Sequence, residues 1–238
     1  MMKLCKLFNL IVLITCVCSE DFYTGAVVEY EPLDSNDLPS PIEVMAYNAD
    51  RYNQFIYRAS TLDVDIIVFP EYGVTGVTLS GEEDRERAKM FMVRGEVGVN
   101  YCDIETTDEV ILNMISCSAK NSSIYVVINT GEMVECETDC ENEDMLSIYN
   151  TNFVFDREGT LIAKYWKQNL FMEPVFEVPK EHIFTHFETD FGVTFGTFIC
   201  FDALWGESLS LMQRYPNITD IVYPTAWVDE LPFMLAPL

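Results

Sequence analysis

The chain has 238 residues, of which 49% are hydrophobic, and this composition supplies enough apolar side chain for one sizeable core. Its 39 acidic and 14 basic residues give a formal net charge of -25 at pH 7. A surface with this charge repels phosphate-coated partners, which excludes nucleic acid binding as a main function and disfavours acidic lipid surfaces for the same reason.

The N-terminus has the layout of a secretory signal peptide. Lys3 and Lys6 form a short basic region, residues 7–17 are almost wholly apolar, and small residues follow. A membrane anchor is the alternative, but the apolar run is too short to span a bilayer comfortably. The sequence therefore predicts a signal peptide at residues 1–19 and a secreted, extracellular mature chain at residues 20–238.

Beyond this leader, the chain alternates between helix-like and strand-like patterns. Apolar residues at helical spacing predict helices, and short β-branched apolar runs predict buried strands. Helices are predicted at residues 49–62, 106–119 and 207–214, the second of which opens with a capping box of Thr106 and Glu109. Strands are predicted at residues 64–70, 123–131, 193–202 and 220–227, with a β-hairpin at residues 152–166. The alternation predicts an α/β protein with a mixed sheet.

Five cysteines remain once the leader is removed, and an odd number in an oxidising compartment leaves one thiol over. Four of them lie in a loop-rich acidic region and can pair among themselves. We favour the pairs Cys136 with Cys140 and Cys102 with Cys117, although the spacing alone leaves other pairings open. Cys200 is then the unpaired thiol.

Two N-glycosylation sequons begin at Asn121 and Asn217. Glycans at these positions would agree with passage through a secretory pathway. Such triplets also arise by chance, so the sequons support the prediction of a secreted glycoprotein and do not establish it.

Three polar side chains stand at or near the ends of predicted strands: Glu71, Lys167 and Cys200. Sheet folds of this kind place ligands where strands end and loops begin. A carboxylate, an ammonium and a thiol that converge there supply a general base, an electrostatic stabiliser and a nucleophile. Taken singly, each has a more common role, as a solvated charge, a surface lysine or a buried core cysteine.

The surroundings of these residues resemble those of a known family. The stretches "FPEYG", "KYWKQNLFMEP", "FGTFICFD" and "PTAW" follow one another in the order and approximate spacing of the nitrilase superfamily of carbon-nitrogen hydrolases. The likeness is closer to the secreted vanin/biotinidase branch, in which the lysine segment resembles KQNLF and the cysteine segment CFD. It extends from about residue 40 to about residue 230, and the lysine segment is highly specific.

The resemblance implies a nitrilase-like αββα sandwich with mixed sheets and a catalytic set of glutamate, lysine and cysteine. Glu71 matches the general base, Lys167 the lysine and Cys200 the nucleophile. Lys164 is the nearby competitor for the lysine role, but Lys167 adjoins "QNLF". Glu173 matches a second glutamate that positions the substrate or the lysine.

Other residues near the nucleophile have a functional and an ordinary interpretation. The backbone N–H of Phe201 is expected to stabilise an oxyanion. Trp227 either lines the pocket or is a core aromatic. Asp202 either orients the turn of the nucleophile or caps the strand end. Tyr72 stands where the vanin-like pattern commonly has an acidic residue, so we expect a pocket of different polarity.

No cofactor and no metal are expected. His182 and His186 have helical spacing, but the β-rich context makes a metal pair a weak interpretation, and the chemistry needs no metal.

The resemblance implies a secreted hydrolase of small-molecule linear amides. Its substrate would be pantetheine, cleaved to pantothenate and cysteamine, or a related amide such as a biotinyl amide. The alternative is a catalytically inactive secreted glycoprotein whose nitrilase-like scaffold serves binding or signalling. The resemblance also implies further elements and a second domain after residue 238, so we expect the domain at residues 20–238 to be incomplete at its C-terminus. Membrane anchoring is expected only through such a missing C-terminus.

Overall fold

The computed structural model describes residues 22–34, 37, 40–105, 108–136 and 142–227. The predicted signal peptide therefore lies outside the described residues.

A six-stranded sheet forms the centre of the fold. Its strands are β1 (Gly25–Val27), β2 (Ile66–Val68), β3 (Met92–Val93), β4 (Tyr125–Glu135), β5 (Leu146–Phe155) and β6 (Leu161–Trp166). The order is β1-β2-β4-β5-β6, and β3 pairs with β4 beyond the end of β2. Strands β1 to β4 pair in parallel, whereas β5 and β6 are antiparallel, as a hairpin requires.

A second, three-stranded sheet consists of β7 (Thr185–Glu188), β8 (Thr194–Thr197) and β9 (Asp220–Val222). Strand β8 is central, antiparallel to β7 and parallel to β9. Its Phe195 packs with Phe187 against Val127 and Val154 of the large sheet. The two mixed sheets therefore share one apolar layer, which is the arrangement of a sandwich.

Helices cover the opposite face of the large sheet, and Leu211 of the last helix packs over Gly196 on the outer face of the small sheet. They are α1 (Pro41–Ser60), α2 (Arg85–Lys89), α3 (Val110–Ser122) and α4 (Gly206–Arg214), with two 3₁₀ turns at Val77–Gly81 and Cys200–Leu204. The buried faces of α1 and α3 pack with β4 and β5 in the main core. This core fixes the strand ends that carry the candidate active site.

The helix starts differ from those predicted. Helix α1 begins earlier, at Pro41, because a proline fits the first helical position, where its missing N–H costs nothing. Helix α3 begins at Val110 instead of residue 106. Glu109 precedes it without a side-chain capping bond, and its Oε2 accepts the Arg94 N–H instead. Thr106, the other half of the predicted capping box, lies outside the described residues.

The predicted strand at residues 193–202 was wrong at its C-terminal end. Strand β8 ends at Thr197, and Cys200 begins a 3₁₀ turn with a φ of 42°. A left-handed backbone conformation cannot continue a strand, so the chain turns at the cysteine. The sequence pattern alone did not reveal this turn because the residues on both sides of Cys200 are apolar.

The cysteines agree with the prediction where they are described. Cys102 and Cys117 form a disulfide, and Cys200 is a free, buried thiol. Cys136 is also disulfide-bonded. Its pairing with Cys140 stays a prediction. Within the described ranges, no helix is long and apolar enough to cross a membrane.

Candidate active site

Glu71, Lys167 and Cys200 meet at one edge of the sandwich. Glu71 lies in the turn after β2, Lys167 directly follows β6, and Cys200 follows β8. The Lys167 Nζ atom donates to Glu71 Oε1 over 2.7 Å. The Cys200 thiol lies beside the Glu71 carboxylate, close enough for each group to shift the pKa of the other. Glu71 and Lys167 are each 2% exposed and Cys200 is 7% exposed. The three side chains therefore form one buried cluster.

Glu173 completes the surroundings of the lysine. Its Oε2 accepts from Lys167 Nζ at 2.6 Å and from the Phe171 N–H at 2.8 Å. Its Oε1 accepts from Asn150 Nδ2 at 2.7 Å and from the Tyr72 hydroxyl. These four donors use the whole acceptor capacity of the carboxylate. Of the two expected roles, the geometry therefore favours positioning of the lysine over direct binding of substrate.

Tyr72 and Asn150 bridge the two glutamates. Asn150 Nδ2 also lies 2.9 Å from Glu71 Oε1, so one amide group contacts both carboxylates. Tyr72 is buried and has a φ of 59°. Burial raises its pKa well above the ordinary tyrosine value, and the two glutamates raise it further. The tyrosine therefore keeps its proton and acts as a hydrogen-bond donor. A neutral donor thus stands at the position where the vanin-like pattern commonly has an acidic residue.

A chain of buried asparagines connects this edge of the large sheet to β8. Asn129 accepts the Tyr72 N–H at 3.0 Å and donates to Asn150 at 2.7 Å and Asn152 at 3.0 Å. Asn152 donates to Thr197 Oγ1 at 2.9 Å, at the end of β8. Such a network rigidifies the loops that carry the glutamate and the cysteine, because each buried amide has its partners.

The segment after β9 surrounds Cys200. The Cys200 N–H donates to Pro224 O at 3.1 Å, and the Tyr223 hydroxyl donates to Cys200 O at 2.7 Å. The thiol itself lies 3.8 Å from Ala226 O. The Ala226 N–H donates to Glu71 Oε2 at 3.1 Å. The "PTAW" segment thus holds the cysteine and its carboxylate partner in one frame.

Asp202 both caps the strand end and orients the turn of the cysteine, the two interpretations that the sequence left open. Its Oδ2 accepts from the Tyr165 hydroxyl at 2.9 Å and the Ile199 N–H at 3.0 Å. Its Oδ1 accepts from the backbone N–H and side-chain amide of Asn169 at 2.8 and 2.9 Å. Burial raises the pKa of Asp202, and these four donors act in the opposite direction. The carboxylate ties the turn of Cys200 to the loop that follows Lys167.

The electrostatics of the resting cluster favour a protonated thiol. Burial raises the pKa of Cys200 to about 12, and the nearby Glu71 carboxylate adds to the effect. Burial also raises the pKa of Glu71, against the opposing charge of Lys167. Burial disfavours the charge on Lys167, but the two glutamates raise its pKa above the usual lysine value. At neutral pH the site therefore holds a thiol, an ammonium and a carboxylate of increased basicity.

An open cavity lies beside the loop of Glu173. Its volume is about 430 Å³, and it is lined by Gly81, Glu83, Met172, Glu173 and Pro174. Met172 is 80% exposed at its rim. The cavity connects the surface with the loop that carries the second glutamate.

The remaining candidates lie around this centre or away from it. Phe201 packs its ring against Phe171 at 5.1 Å between centroids, and its backbone follows the cysteine directly. Trp227 is partly buried and packs against Tyr165, Ile199 and Cys200, so its role in lining the pocket stays a prediction. Lys164 points elsewhere.

Lys164 is paired with a different carboxylate. Its Nζ donates to Glu132 Oε1 at 2.5 Å and to Gly95 O at 2.7 Å. The alternating faces of β6 place Lys164 and Trp166 on one side and Tyr165 on the other. Lys164 therefore does not belong to the cluster, and Lys167 stays the predicted catalytic lysine.

The histidines and the sequons lie outside the cluster. His182 packs on Phe184 and His186 on Tyr215, each at 4.4 Å between ring centroids. Among the residues that the structure describes, no group of three or more His, Cys, Asp or Glu side chains could hold a metal ion. Asn121 and Asn217 are both exposed, as a glycosylation site requires.

Sequence reasoning missed the hydrogen-bonding roles of Tyr72 and of the three asparagines. One signal was available for part of this network. Asn150 and Asn152 stand two residues apart in an apolar strand, and a period of two places them on the same face. Two amides on one buried face require partners, which is a reason to search for a polar site there.

The fold and the cluster together define an enzyme-like α/β scaffold with a Glu–Lys–Cys centre. Residues 37–231 match the model of the carbon-nitrogen hydrolase family. The chain belongs to this family. The match includes every member of the cluster.

Within this family, the chain is similar to vanin-like proteins, biotinidases and pantetheinases. The chain is 37% identical to Vanin-like protein 2 of Drosophila melanogaster, an alignment that covers 90% of this chain and 39% of the relative. It is 32% identical to human biotinidase, over 91% of this chain and 42% of the relative. It is 34% identical to mouse pantetheinase, over 92% of this chain and 44% of the relative. The chain thus spans about two fifths of the length of the curated relatives that it matches.

Solved structures show the same fold. An amidase from Nesterenkonia sp. superposes with a TM-score of 0.61 at 16% identity, over 90% of this chain and 71% of that chain. A branch 10 member of the nitrilase superfamily from Saccharomyces cerevisiae superposes with a TM-score of 0.63 at 22% identity, over 87% of this chain and 65% of that chain. The architecture is therefore nitrilase-like. A mutant of the Nesterenkonia amidase carries acrylamide at its active site cysteine.

Proposed function

We propose that the protein hydrolyses a linear amide through a thioester on Cys200. The single observation that carries the proposal is the buried cluster of Cys200, Glu71 and Lys167, in which the Glu71 carboxylate accepts from Lys167 Nζ and from the N–H of Ala226, whose carbonyl oxygen lies beside the thiol. Charged groups are rarely buried together unless they are paired or functional. Membership of the carbon-nitrogen hydrolase family and the reactive cysteine of the Nesterenkonia amidase support the same chemistry.

The first half-reaction forms the thioester. Glu71 takes the thiol proton as general base while the sulfur of Cys200 attacks the amide carbonyl carbon. The carbonyl oxygen becomes an oxyanion, which Lys167 and the backbone N–H of Phe201 stabilise. The carbon-nitrogen bond then breaks, and Glu71 returns the proton to the departing amine. The raised pKa of Glu71 suits a group that must accept and then release a proton.

The second half-reaction restores the enzyme. Water gives a proton to Glu71 and adds to the thioester carbon, which passes through a second oxyanion at the same donors. Collapse of this intermediate releases the carboxylic acid and the thiolate of Cys200, and the proton on Glu71 returns to the sulfur. Glu173 stays bound to Lys167 throughout, as a positioning residue.

We further propose that the substrate is pantetheine or a biotinyl amide. The support is the identity to mouse pantetheinase and human biotinidase, each over more than nine tenths of this chain. The cavity at Glu173 is the proposed route by which the substrate enters. The proposal also includes the signal peptide at residues 1–19, secretion, the domain at residues 20–238 and glycans on Asn121 and Asn217, since the two sequon asparagines are exposed.

The test is hydrolysis of pantetheine and of a biotinyl amide by the protein expressed from its full coding sequence and purified from the medium of secreting cells. We expect release of cysteamine or of free amine, and loss of this release in Cys200→Ala. Lys164→Arg serves as the matched control, because it alters a charged residue of β6 outside the cluster. Retained turnover in Cys200→Ala refutes the mechanism. A wild type that turns over neither amide supports the inactive scaffold instead.

A further inference from the structure

Thr225 lies in the segment that surrounds the nucleophile. Its neighbours in the chain hold Cys200 on both sides, through Pro224 O, 3.1 Å from the cysteine N–H, and Ala226 O, 3.8 Å from the thiol. The Thr225 hydroxyl is buried, and its Oγ1 makes no well-formed hydrogen bond with the described residues. It lies in contact with the Cys200 thiol and the Tyr223 hydroxyl and opposes the rise in pKa of both groups.

An unsatisfied buried hydroxyl is costly, on the order of 1–3 kcal/mol, so native proteins keep few of them. The backbone of Cys200 is already held by Pro224 and Tyr223. Valine has nearly the same shape as threonine and would fill this space without a polar atom. The hydroxyl is therefore available to a group beside it that gains negative charge during the reaction.

That group is the Cys200 thiol, which becomes a thiolate. In the resting protein the thiol proton faces acceptors, because Ala226 O and the Glu71 carboxylate both lie beside the sulfur. Once the proton has moved to Glu71, the sulfur carries a negative charge next to a carbonyl oxygen. It then needs donors. Lys167 supplies charge from one side, and the Thr225 hydroxyl is the donor already in contact with the sulfur.

We propose that Thr225 is a further catalytic residue, whose hydroxyl donates a hydrogen bond to the sulfur of Cys200 when the thiolate forms. The step moves no additional proton, since the thiol proton goes to Glu71 and the threonine keeps its own. The inference rests on the proposed role of Cys200 as nucleophile. It assigns to Thr225, within the "PTAW" segment, the role of binding the charged sulfur.

The experiment measures the thiolate directly, without substrate. The full chain is treated with iodoacetamide at a series of pH values from neutral to alkaline, and alkylation of the Cys200 peptide is followed by mass spectrometry. In Thr225→Val we expect the rate at a fixed pH below the thiol pKa to fall about tenfold, the loss of one hydrogen bond to a charged group. Thr225→Ser, which keeps the hydroxyl, should restore most of the rate.

The titratable groups that face the thiol are unchanged in both variants. They are Glu71 after β2, Lys167 after β6 and Tyr223 after β9. Asp202, on the turn of the cysteine itself, directs its carboxylate to Tyr165, Ile199 and Asn169 instead. Thr130→Val is the matched control, because the Thr130 hydroxyl is also buried and makes no well-formed hydrogen bond with the described residues. This control should alkylate like the wild type.

Equal alkylation profiles for Thr225→Val and the wild type would overturn the inference, as would a failure of the serine variant to recover the rate. A wild-type thiol that never reacts at any pH would overturn it too, since a sulfur that stays protonated needs no donor. Circular dichroism and thermal melting identify a variant that has merely lost its fold. Alkylation of the sulfur is read without any amide turnover. If Thr225→Val is alkylated more slowly but the wild type cleaves no amide substrate, the inference stands and only the proposed function is refuted.

Discussion

The substitution Asp202→Asn tests how the turn of the cysteine is held. The buried carboxylate accepts four hydrogen bonds, two at each oxygen. An asparagine keeps one acceptor oxygen and puts an NH₂ group in place of the other. Its oxygen best faces Asn169, whose backbone N–H and amide both donate there. The NH₂ group then faces the Tyr165 hydroxyl, which can reverse and accept, and the Ile199 N–H, which cannot.

The magnitude follows from this count. In the variant, the remaining hydrogen bonds are weaker because their acceptor is no longer charged, and the Ile199 N–H is buried without an acceptor. Together these losses lower the free energy of unfolding by about 2–4 kcal/mol. For a domain of this size that is a fall of about 5–10 °C in Tm. Ile199 directly precedes Cys200, so the sulfur moves away from Glu71. We expect kcat/KM to fall about 10- to 100-fold, the range for a misplaced reacting group.

The assay is denaturant unfolding followed by fluorescence, combined with amide turnover at a temperature well below the melting range of the variant. Asp50→Asn is the matched control, because Asp50 is exposed on α1 and its Oδ2 accepts from the Gln54 side chain. The control should unfold and turn over like the wild type. If Asp202→Asn is as stable and as active as that control, the carboxylate does not hold the turn of the cysteine and the reasoning is refuted.

Two further predictions concern the glutamates. Tyr72→Phe removes a donor to the buried Glu173 carboxylate, so we expect the free energy of unfolding to fall by about 1.5–3 kcal/mol in denaturant titrations. Burial raises the pKa of Glu71 above 4.5, and the carboxylate must be ionised to accept the thiol proton. The profile of kcat/KM against pH should therefore rise with pH through a midpoint above 4.5, and Glu71→Gln should abolish turnover.

Their controls are equally specific. Tyr57 is 70% exposed, so Tyr57→Phe should leave stability unchanged. A Tyr72→Phe variant that unfolds like Tyr57→Phe would show that the hydroxyl adds nothing. An acid limb centred at or below 4.5 would contradict the raised pKa of Glu71.

The members of the Glu–Lys–Cys cluster could be chosen from the sequence because each lies in a short local stretch at a strand end. Their family context then decided between a functional and an ordinary interpretation. The left-handed conformation of Cys200 could not be read in the same way, since the flanking apolar residues also suit a strand. Its turn is imposed by Asp202 and by the segment after β9, which are contacts of the folded chain.

The hydrogen bonds of Asn150 and Tyr72 could not be predicted either, because they also depend on contacts of the folded chain. Asn150 lies 79 positions from Glu71 along the chain, and only the pairing of β4 with β5 brings its amide between the two glutamates. Tyr72 was noticed as a departure from the resembling pattern, but the partner of its hydroxyl depends on where the loop after β6 returns to the sheet. The apolar pattern predicts sheets and helices, whereas polar networks depend on register.

The central claim is that Cys200 is the nucleophile of an amide hydrolase, and the most direct measurement is capture of the thioester. The protein is mixed with pantetheine, quenched in acid during turnover and digested, and the Cys200 peptide is weighed by mass spectrometry. The account predicts a peptide heavier by one pantothenoyl group, which disappears when the substrate is exhausted. Turnover with this peptide unmodified, or with the acyl group on another residue, would contradict the account.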